Sequence, residues 1–471
     1  MIKFGTGGWR AVIGEDFTKA NIQILAKAMV AKMKAEAVSE DGIVIGYDRR
    51  FLSKEAMRWA AEVFAGEGIK AFLINRSSPT PLIMYYCMVH DFHYGMMITA
   101  SHNPAIYNGI KVFTYGGRDA DELQTADIEK YIDRIADEKI CPMDYEAAVK
   151  ADLIMEINPL NEYLDNIINT VDMQAIRNRG LKVVLDPMYG VSETSLKTIL
   201  LTARCDVSTI HERHDTLFGG KLPSPSAQTL RSLQNNVLDR YADIGIATDG
   251  DADRIGIIDD TGKFLHPNDI LVLLYYYLLK YKGWRGPAVR NLATTHMLDR
   301  VAESFGEKCY EVPVGFKYIS AKMNEMDAII GGESSGGLTV KGHINGKDGI
   351  YAAALLVEMI CMTGKKLSEI AKEIENEYGT IYLEEKDYKF SQEKKEDIYH
   401  TLMIERQLPH LPFDVEKVSY LDGCKVYFTN GGWIIIRFSG TEPLLRIFCE
   451  MPKSGQAKLV CEVVEDFLQL Q

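Results

Sequence analysis

Three apolar runs in this chain end in the same way. "YGMMITA" (94–100), "DIGIATD" (243–249) and "AIIGGE" (328–333) each pass directly into a short polar loop, TASHNP, DGDADR and GGESSG. An unbroken apolar run of strand length predicts a strand buried on both faces, and such a strand needs helices to cover it. The flanking sequence supplies them. "GIVIGYD" (42–48) and "KAFLIN" (70–75) read as strands around the helical "SKEAMRWAAEVFAGEG" (53–68), with Ser53 expected as its cap and glycine at its end. A further helix is expected near 80–92. "LKVVLDP" (181–187) opens a second unit of this kind, and "PAVRNLA" (287–293) with "KCYEV" (308–312) a third. Strands alternating with helices predict βαβ units and largely parallel sheets. Ligands of open α/β sheets sit at the carboxyl ends of the strands. Three such loops therefore imply three related domains aimed at one site.

The C-terminal part has a different pattern. "VEKVSYLDG", "CKVYFTN", "GWIIIRFSG" and "LLRIFCEM" read as hairpin-like strands, closed by a helix near 455–470. The expected fold class is α/β, with three related α/β domains on mixed sheets and a C-terminal α+β domain. The expected boundaries are 1–150, 151–260, 261–375 and 376–471. At 471 residues the chain is too long for one ordinary core.

Composition narrows the class of function. A formal net charge of −13 argues against nucleic acid as a partner, while an anionic small substrate needs only a local convergence of cations. The eight cysteines form no CxxC pair and no zinc spacing, so buried, reduced thiols are expected. The longest apolar run, "ILVLLYYYLL" (270–279), is about half a membrane span. "MIKFGTGGWR" lacks the apolar core of a signal peptide. A cytoplasmic protein with no membrane partner is the expectation.

The loops carry the chemistry. In DGDADR, Asp249, Asp251 and Asp253 alternate, so an extended loop would point all three the same way. Facing carboxylates repel unless a hard cation neutralises them, and magnesium or calcium prefers oxygen ligands. A solvated acidic turn is the alternative. An EF-hand fails because its sixth position holds Arg254 rather than glycine and its flanks read as strands. "GGWIIIRFSGTEPLLRIFCE" (431–450) sets Arg437, Ser439, Gly440, Thr441 and Arg446 around a tight turn. Backbone amides, hydroxyls and guanidinium groups suit a phosphate dianion, although an ordinary hairpin with surface arginines has the same sequence signature. In "GGESSGG", Glu333, Ser334 and Ser335 offer a carboxylate and hydroxyls to a polyol. "FGTGGWR" delivers Arg10 from a glycine-rich turn. Ser101 and His102 are adjacent, and adjacent residues seldom orient as nucleophile and base; no G-x-S-x-G elbow accompanies them.

FGTGGWR, TASHNP, DGDADR, GGESSG and RFSGTEP, in this order along the whole chain, resemble the α-D-phosphohexomutase superfamily, which includes phosphoglucomutases and phosphomannomutases. The resemblance implies four domains around a central cleft. It implies that Ser101 is a phosphorylated serine, which gives its phosphoryl group to a sugar phosphate and recovers the other phosphate from the bisphosphate so formed. Asp249, Asp251 and Asp253, with a phosphate oxygen on Ser101, would hold Mg2+, and a sugar 1,6-bisphosphate would serve as activator. Arg10 and Arg254 would steady phosphoryl oxygens. His102 would position the loop. Lys111 would be a general acid/base, its pKa lowered by nearby cations. Glu333 and Ser335 would read the sugar, with Lys317 in the cleft, and Arg437, Ser439, Gly440, Thr441 and Arg446 would hold the non-reacting phosphate. The chain departs from many relatives at the sugar loop, which reads SSGG where they carry SGH; His343 is the nearest histidine. The substrate expected is a glucose phosphate, then a mannose phosphate, with glucosamine phosphate an alternative, and the protein a monomer or homodimer. A sugar phosphatase and a non-catalytic sugar-phosphate or calcium binder are the competing readings.

Overall fold

The structure is a computed structural model and describes residues 2–5, 7–135, 138–438 and 444–470. Its first three sheets repeat one strand order. In the first, Ile43–Tyr47 pairs in parallel with Ala71–Ile74 on one side and Tyr94–Ile98 on the other, and Tyr107–Thr114 returns antiparallel to Tyr94–Ile98. In the second, Lys182–Asp186 lies between Asp206–Thr209 and Ile244–Thr248, and Ile255–Ile258 returns. In the third, Ala288–Asn291 lies between Cys309–Val312 and Ile330–Gly332, and Leu338–Val340 returns. The three polar loops are the three equivalent turns into the returning strand. The sheets are mixed, as the sequence implies.

Two sheets reach past the boundaries anticipated at 150 and 260. Ile154–Ile157 pairs with Ala71–Ile74 in the first sheet, and Phe264–Leu265 extends the second. Gly8–Val12 adds to Tyr107–Thr114 and carries Arg10 to the edge of the first loop. The fourth sheet is antiparallel, in the order Tyr382–Lys389, Leu444–Met451, Trp433–Phe438, Cys424–Phe428, Val415–Ser419, and it packs on the helix Gln456–Leu468.

Helix Ser53–Gly66 buries Ala56, Met57, Ala60, Ala61, Val63 and Phe64, the stripe that a 3.6-residue period predicts. Ser53 is not its cap. The chain enters through Leu52 at φ 64°, and the Ser53 hydroxyl donates instead to Asp48 Oδ1 at 2.8 Å. The apolar run 270–279 lies within helix Pro267–Lys280 and is buried on every side, as is Gly349–Ile360 of helix Gly349–Thr363. A helix apolar all round is a core helix when it is this short. Among the described residues no helix is long and apolar enough to cross a membrane.

One large core runs through the first three domains, whereas the fourth has its own. A small seam of Leu292, Ala293, Tyr427, Trp433 and Ile435 joins the third and fourth.

Candidate active site

Ser101 opens the turn after Tyr94–Ile98, 1% exposed, with its backbone in the left-handed region at φ 52°. Its hydroxyl donates to Asp249 Oδ2 of the second domain at 2.8 Å, and His102 Nδ1 lies 3.3 Å from the same hydroxyl oxygen. The contact is close because of Gly250: a Cβ there would stand 2.7 Å from the Ser101 carbonyl oxygen. Thr80 ties the same two domains, donating from its N–H to the Asp251 carbonyl (2.9 Å) and from its hydroxyl to Asp251 Oδ2 (2.6 Å).

The three aspartates are fully buried, with one carboxylate oxygen of each within 4.8 Å of the others. They converge differently from the sequence expectation. The loop is a compact turn, with Ala252 at φ 63° and its N–H on the Asp249 carbonyl at 3.1 Å, rather than an extended run. Burial and the charges of Asp251 and Asp253 push the Asp249 carboxyl well up. Burial would raise Asp251 and Asp253 as well; Lys111, joined at Asp253 by Lys347 and Arg254, outweighs it and holds both below the ordinary carboxylate range. Oδ1 of Asp251 and Oδ1 of Asp253 are buried with no hydrogen-bond partner among the described residues. Unpartnered buried carboxylate oxygens beside a third carboxylate fit a hard divalent cation.

Lys111 donates to Asp251 Oδ2 and Asp253 Oδ2, both at 2.7 Å. Burial alone would lower its pKa, but the two carboxylates raise it, which reverses the expectation of a lysine depressed by cations. As placed, Lys111 is a charged donor. His102 is the opposite case: burial, Arg254 and Arg10 press its pKa well below the usual imidazole value and keep it neutral. Arg10 donates to Asn103 Oδ1 at 2.9 Å and lies beside Arg254. The buried Nε of Arg254 makes no hydrogen bond among the described residues; Asp253 Oδ1 is 3.9 Å away.

The metal loop is stitched to the sugar loop through the main chain. Arg254 bridges Gly337, and the Ile255 N–H donates to the Gly336 carbonyl at 3.2 Å. Glu333 is 9% exposed, its carboxylate accepting from Asn291 Nδ2 at 3.2 Å and from the exposed Ser335 hydroxyl at 3.4 Å. Lys317 pairs with Glu122 of the first domain at 2.7 Å. His343 does not stand in for the missing loop histidine: it is buried between Asn166 Oδ1 (2.9 Å) and Asp348 Oδ2 (2.7 Å), where it steadies the cap of helix Gly349–Thr363. In the fourth domain Arg437 and Arg446 are direct cross-strand partners, Arg437 held by Asp422 at 3.0 Å and Arg446 near Asp387 at 3.7 Å. Like charges opposite one another destabilise a ladder unless an anion is shared. Ser439, Gly440 and Thr441 lie outside the described residues.

One cation of the aspartate cluster escaped the sequence reading. Lys347 pairs with Asp253 at 2.9 Å from a loop of the third domain. Its only local signal is the adjacent Asp348, which reads as a helix cap.

Four family descriptions cover nearly the whole chain: Phosphoglucomutase/phosphomannomutase, alpha/beta/alpha domain I matches residues 1–139, domain II residues 161–262, domain III residues 266–378 and the C-terminal domain residues 384–467. A phosphoglucomutase/phosphomannomutase of Thermococcus kodakarensis is 28% identical over 463 residues, 98% of this chain and 97% of that one. A probable phosphoglucosamine mutase of Methanocella arvoryzae is 30% identical over 469 residues, 100% and 98% of the two chains. The crystal structure of a putative phosphomannomutase from Thermus thermophilus superposes with a TM-score of 0.86 at 29% identity, covering 99% of each chain. The chain thus belongs to the phosphoglucomutase/phosphomannomutase family of the α-D-phosphohexomutase superfamily and is an isomerase of the mutase type.

Proposed function

We propose that this protein interconverts hexose 1-phosphate and hexose 6-phosphate, glucose best and mannose second, through a phosphoserine at Ser101 and a bisphosphorylated sugar. The observation that carries the reading is the 2.8 Å contact between the Ser101 hydroxyl and the buried aspartate cluster, which joins a nucleophile to a cation site across two domains. In the first half-reaction the bond from phosphorus to Ser101 Oγ breaks as a bond forms to the free sugar hydroxyl. In the second the other phosphoryl group returns to Oγ. In each, a proton passes from the attacking hydroxyl to the departing oxygen; His102 Nδ1, kept neutral, is within 3.3 Å of the Oγ end, and Lys111 is held as a charged donor. Arg10 and Arg254 would steady the phosphoryl oxygens. Asp249, Asp251 and Asp253 with a phosphoserine oxygen would hold Mg2+, which when bound draws charge from the phosphoryl group as a Lewis acid. A sugar 1,6-bisphosphate would phosphorylate Ser101 and so act as activator.

Sugar choice follows from the turnover. A bisphosphate that binds in two opposite orientations is gripped through hydroxyls near the middle of the ring, which Glu333 and Ser335 can bond. Glucose and mannose differ only at carbon 2, so discrimination between them is small. Arg437 and Arg446, with Ser439, Gly440 and Thr441, would clamp the non-reacting phosphate, and Lys317 would join them once released from Glu122. A glucosamine ammonium near these cations is disfavoured, but the name of the full-length Methanocella arvoryzae relative supports glucosamine phosphate as a second reading. A mutase assay with glucose, mannose and glucosamine 1-phosphates, with Mg2+ and a trace of bisphosphate, decides. Free phosphate in place of 6-phosphate would make the protein a phosphatase. Glucosamine phosphate turned over far faster than glucose phosphate would select the second reading.

A further inference from the structure

Asp48 and Arg50 belong to none of the reactive loops and Thr99 only opens TASHNP, yet each is at most 3% exposed. A buried guanidinium is tolerated only where its donors find acceptors. Arg50 spends its donors on the main chain around Ser101. Nη2 donates to the carbonyls of Ser101 (2.7 Å) and Asn103 (2.6 Å), and Nη1 to those of Pro104 and Tyr107 (both 2.9 Å). Its Nε faces Asp48 Oδ2 at 3.4 Å, and the guanidinium lies 4.9 Å from the centre of the Phe218 ring of the second domain. On the other side of Ser101, the Thr99 hydroxyl accepts from the Ser101 N–H at 2.8 Å and donates to Asp48 Oδ2 at 2.6 Å. Asp48 Oδ1 accepts from the Arg50 N–H (2.9 Å) and from the Ser53 hydroxyl (2.8 Å). The N–H and the C=O of Ser101 are thus both tied back to one buried carboxylate. The residue between those ties sits at φ 52°, a conformation that a serine leaves readily unless its surroundings hold it.

We propose that Asp48, Arg50 and Thr99 are positioning residues for phosphoryl transfer: together they lock the Ser101 main chain, so that Oγ keeps its place while the bisphosphorylated sugar turns over. The inference rests on Ser101 being the phosphoryl carrier, as argued above. That chemistry asks for such a lock. One serine must deliver to one end of the sugar and collect from the other, with an unattached intermediate between the two events. A serine that drifts in the interval misses the returning phosphate, or presents its phosphoryl group to water, giving serine and inorganic phosphate. All three side chains are buried and spent on the main chain around Ser101 and on one another, so substrate binding is left alone.

Thr99→Val keeps the side-chain shape and removes the hydroxyl; Thr99→Ser restores it. Arg50→Lys keeps the charge but cannot span four carbonyls. The expected result for Thr99→Val and Arg50→Lys is a fall in kcat of about ten- to a hundred-fold, the scale of a reacting group misplaced by a fraction of an ångström to an ångström. KM for the sugar 1-phosphate stays within about two-fold of the parent, because the frame makes no substrate contact. Intact-mass spectrometry of the phosphorylated enzyme shows faster loss of the Ser101 phosphate, and Thr99→Ser recovers both readouts. Should Thr99→Val not fold, Arg50→Lys carries the same two measurements. Parental kcat and phosphoserine lifetime in Thr99→Val and Arg50→Lys, or a loss confined to KM, overturns the frame while leaving Ser101 as carrier. A parent enzyme that never acquires phosphate on Ser101 overturns both readings together.

Discussion

The proposed chemistry asks one hydroxyl of Ser101, and Ser101→Ala deletes it while keeping the Cβ and the backbone. The variant loses a buried hydrogen bond worth about 1 kcal/mol, so a thermal melt should shift little while mutase turnover falls to near zero. Asp251 Oδ2 accepts from both Lys111 and Thr80. Asp251→Asn should weaken metal affinity, measured by titration, and turnover with it; full activity of the parent in excess chelator would separate the aspartates from the reaction. These residues were legible in the sequence because each sits inside a short loop whose composition is odd for a turn. Lys347, Thr80 and Arg50 were not legible, because each acts on a residue far along the chain and each has an ordinary local excuse: a residue before a cap, a helix start, a loop cation. The charge on Lys111 was misjudged for the same reason, as its two carboxylates come from another domain.

At the scale of the element, continuous burial made the central strands readable. Ile43–Tyr47, Tyr94–Ile98 and Ile244–Thr248 are buried at every position, so no alternation had to be found. The edge strand Tyr382–Lys389 escaped, since its sequence "YLEEKDYK" is mostly charged and half-exposed; charge protects an edge and hides it together. The hairpin strands Trp433–Phe438 and Leu444–Met451 are legible as strands, and the phosphate clamp proposed for their opposed arginines is open to test. Arg437→Ala removes a charge-assisted contact worth ~1.5–3 kcal/mol, so kcat/KM should fall roughly ten- to a hundred-fold in steady-state assays. Unchanged kinetics would reduce the element to a turn.

For the molecule as a whole, the threefold repeat of sheet order was foreseeable, whereas the seam to the fourth domain was not. Lys425 is buried there against Glu311 Oε2 and the Leu292 carbonyl, both at 2.7 Å, with Arg290, His296 and Glu450 around it. Burial and the nearby Arg290 lower Lys425 to about 7. Burial would raise Glu311, but His296, Arg290 and Lys425 outweigh it and hold the carboxyl well below its usual range. The signs agree. The unfolded chain binds more protons at Lys425 between about pH 7 and 10.4, so that part of the stability is lost as pH falls through this window. Glu311 contributes above about pH 4.3 and loses its share as pH drops below. Melting temperature should therefore decline toward acid, and Glu311→Gln should flatten the decline below about pH 4.3. At neutral pH that variant should cost about 2–3 kcal/mol, the low side for a broken buried pair because the Glu311 side chain is 23% exposed.

With Asp249 ionised as a bound cation would hold it, the three aspartates of the second domain balance Lys111 of the first, Lys347 of the third and Arg254 beside them. A divalent cation arriving alone leaves this junction with an excess of about two positive charges, and a phosphate on Ser101 alone with about two negative ones. Together they restore neutrality. Each therefore strengthens the hold of the other by the same factor, whichever comes first. Since the cancelling groups belong to three domains, the doubly loaded form is also the form in which those domains cohere best. Magnesium should accordingly raise the melting temperature of the phosphorylated enzyme by more than it raises that of the dephosphorylated one, as differential scanning calorimetry of the two forms would register.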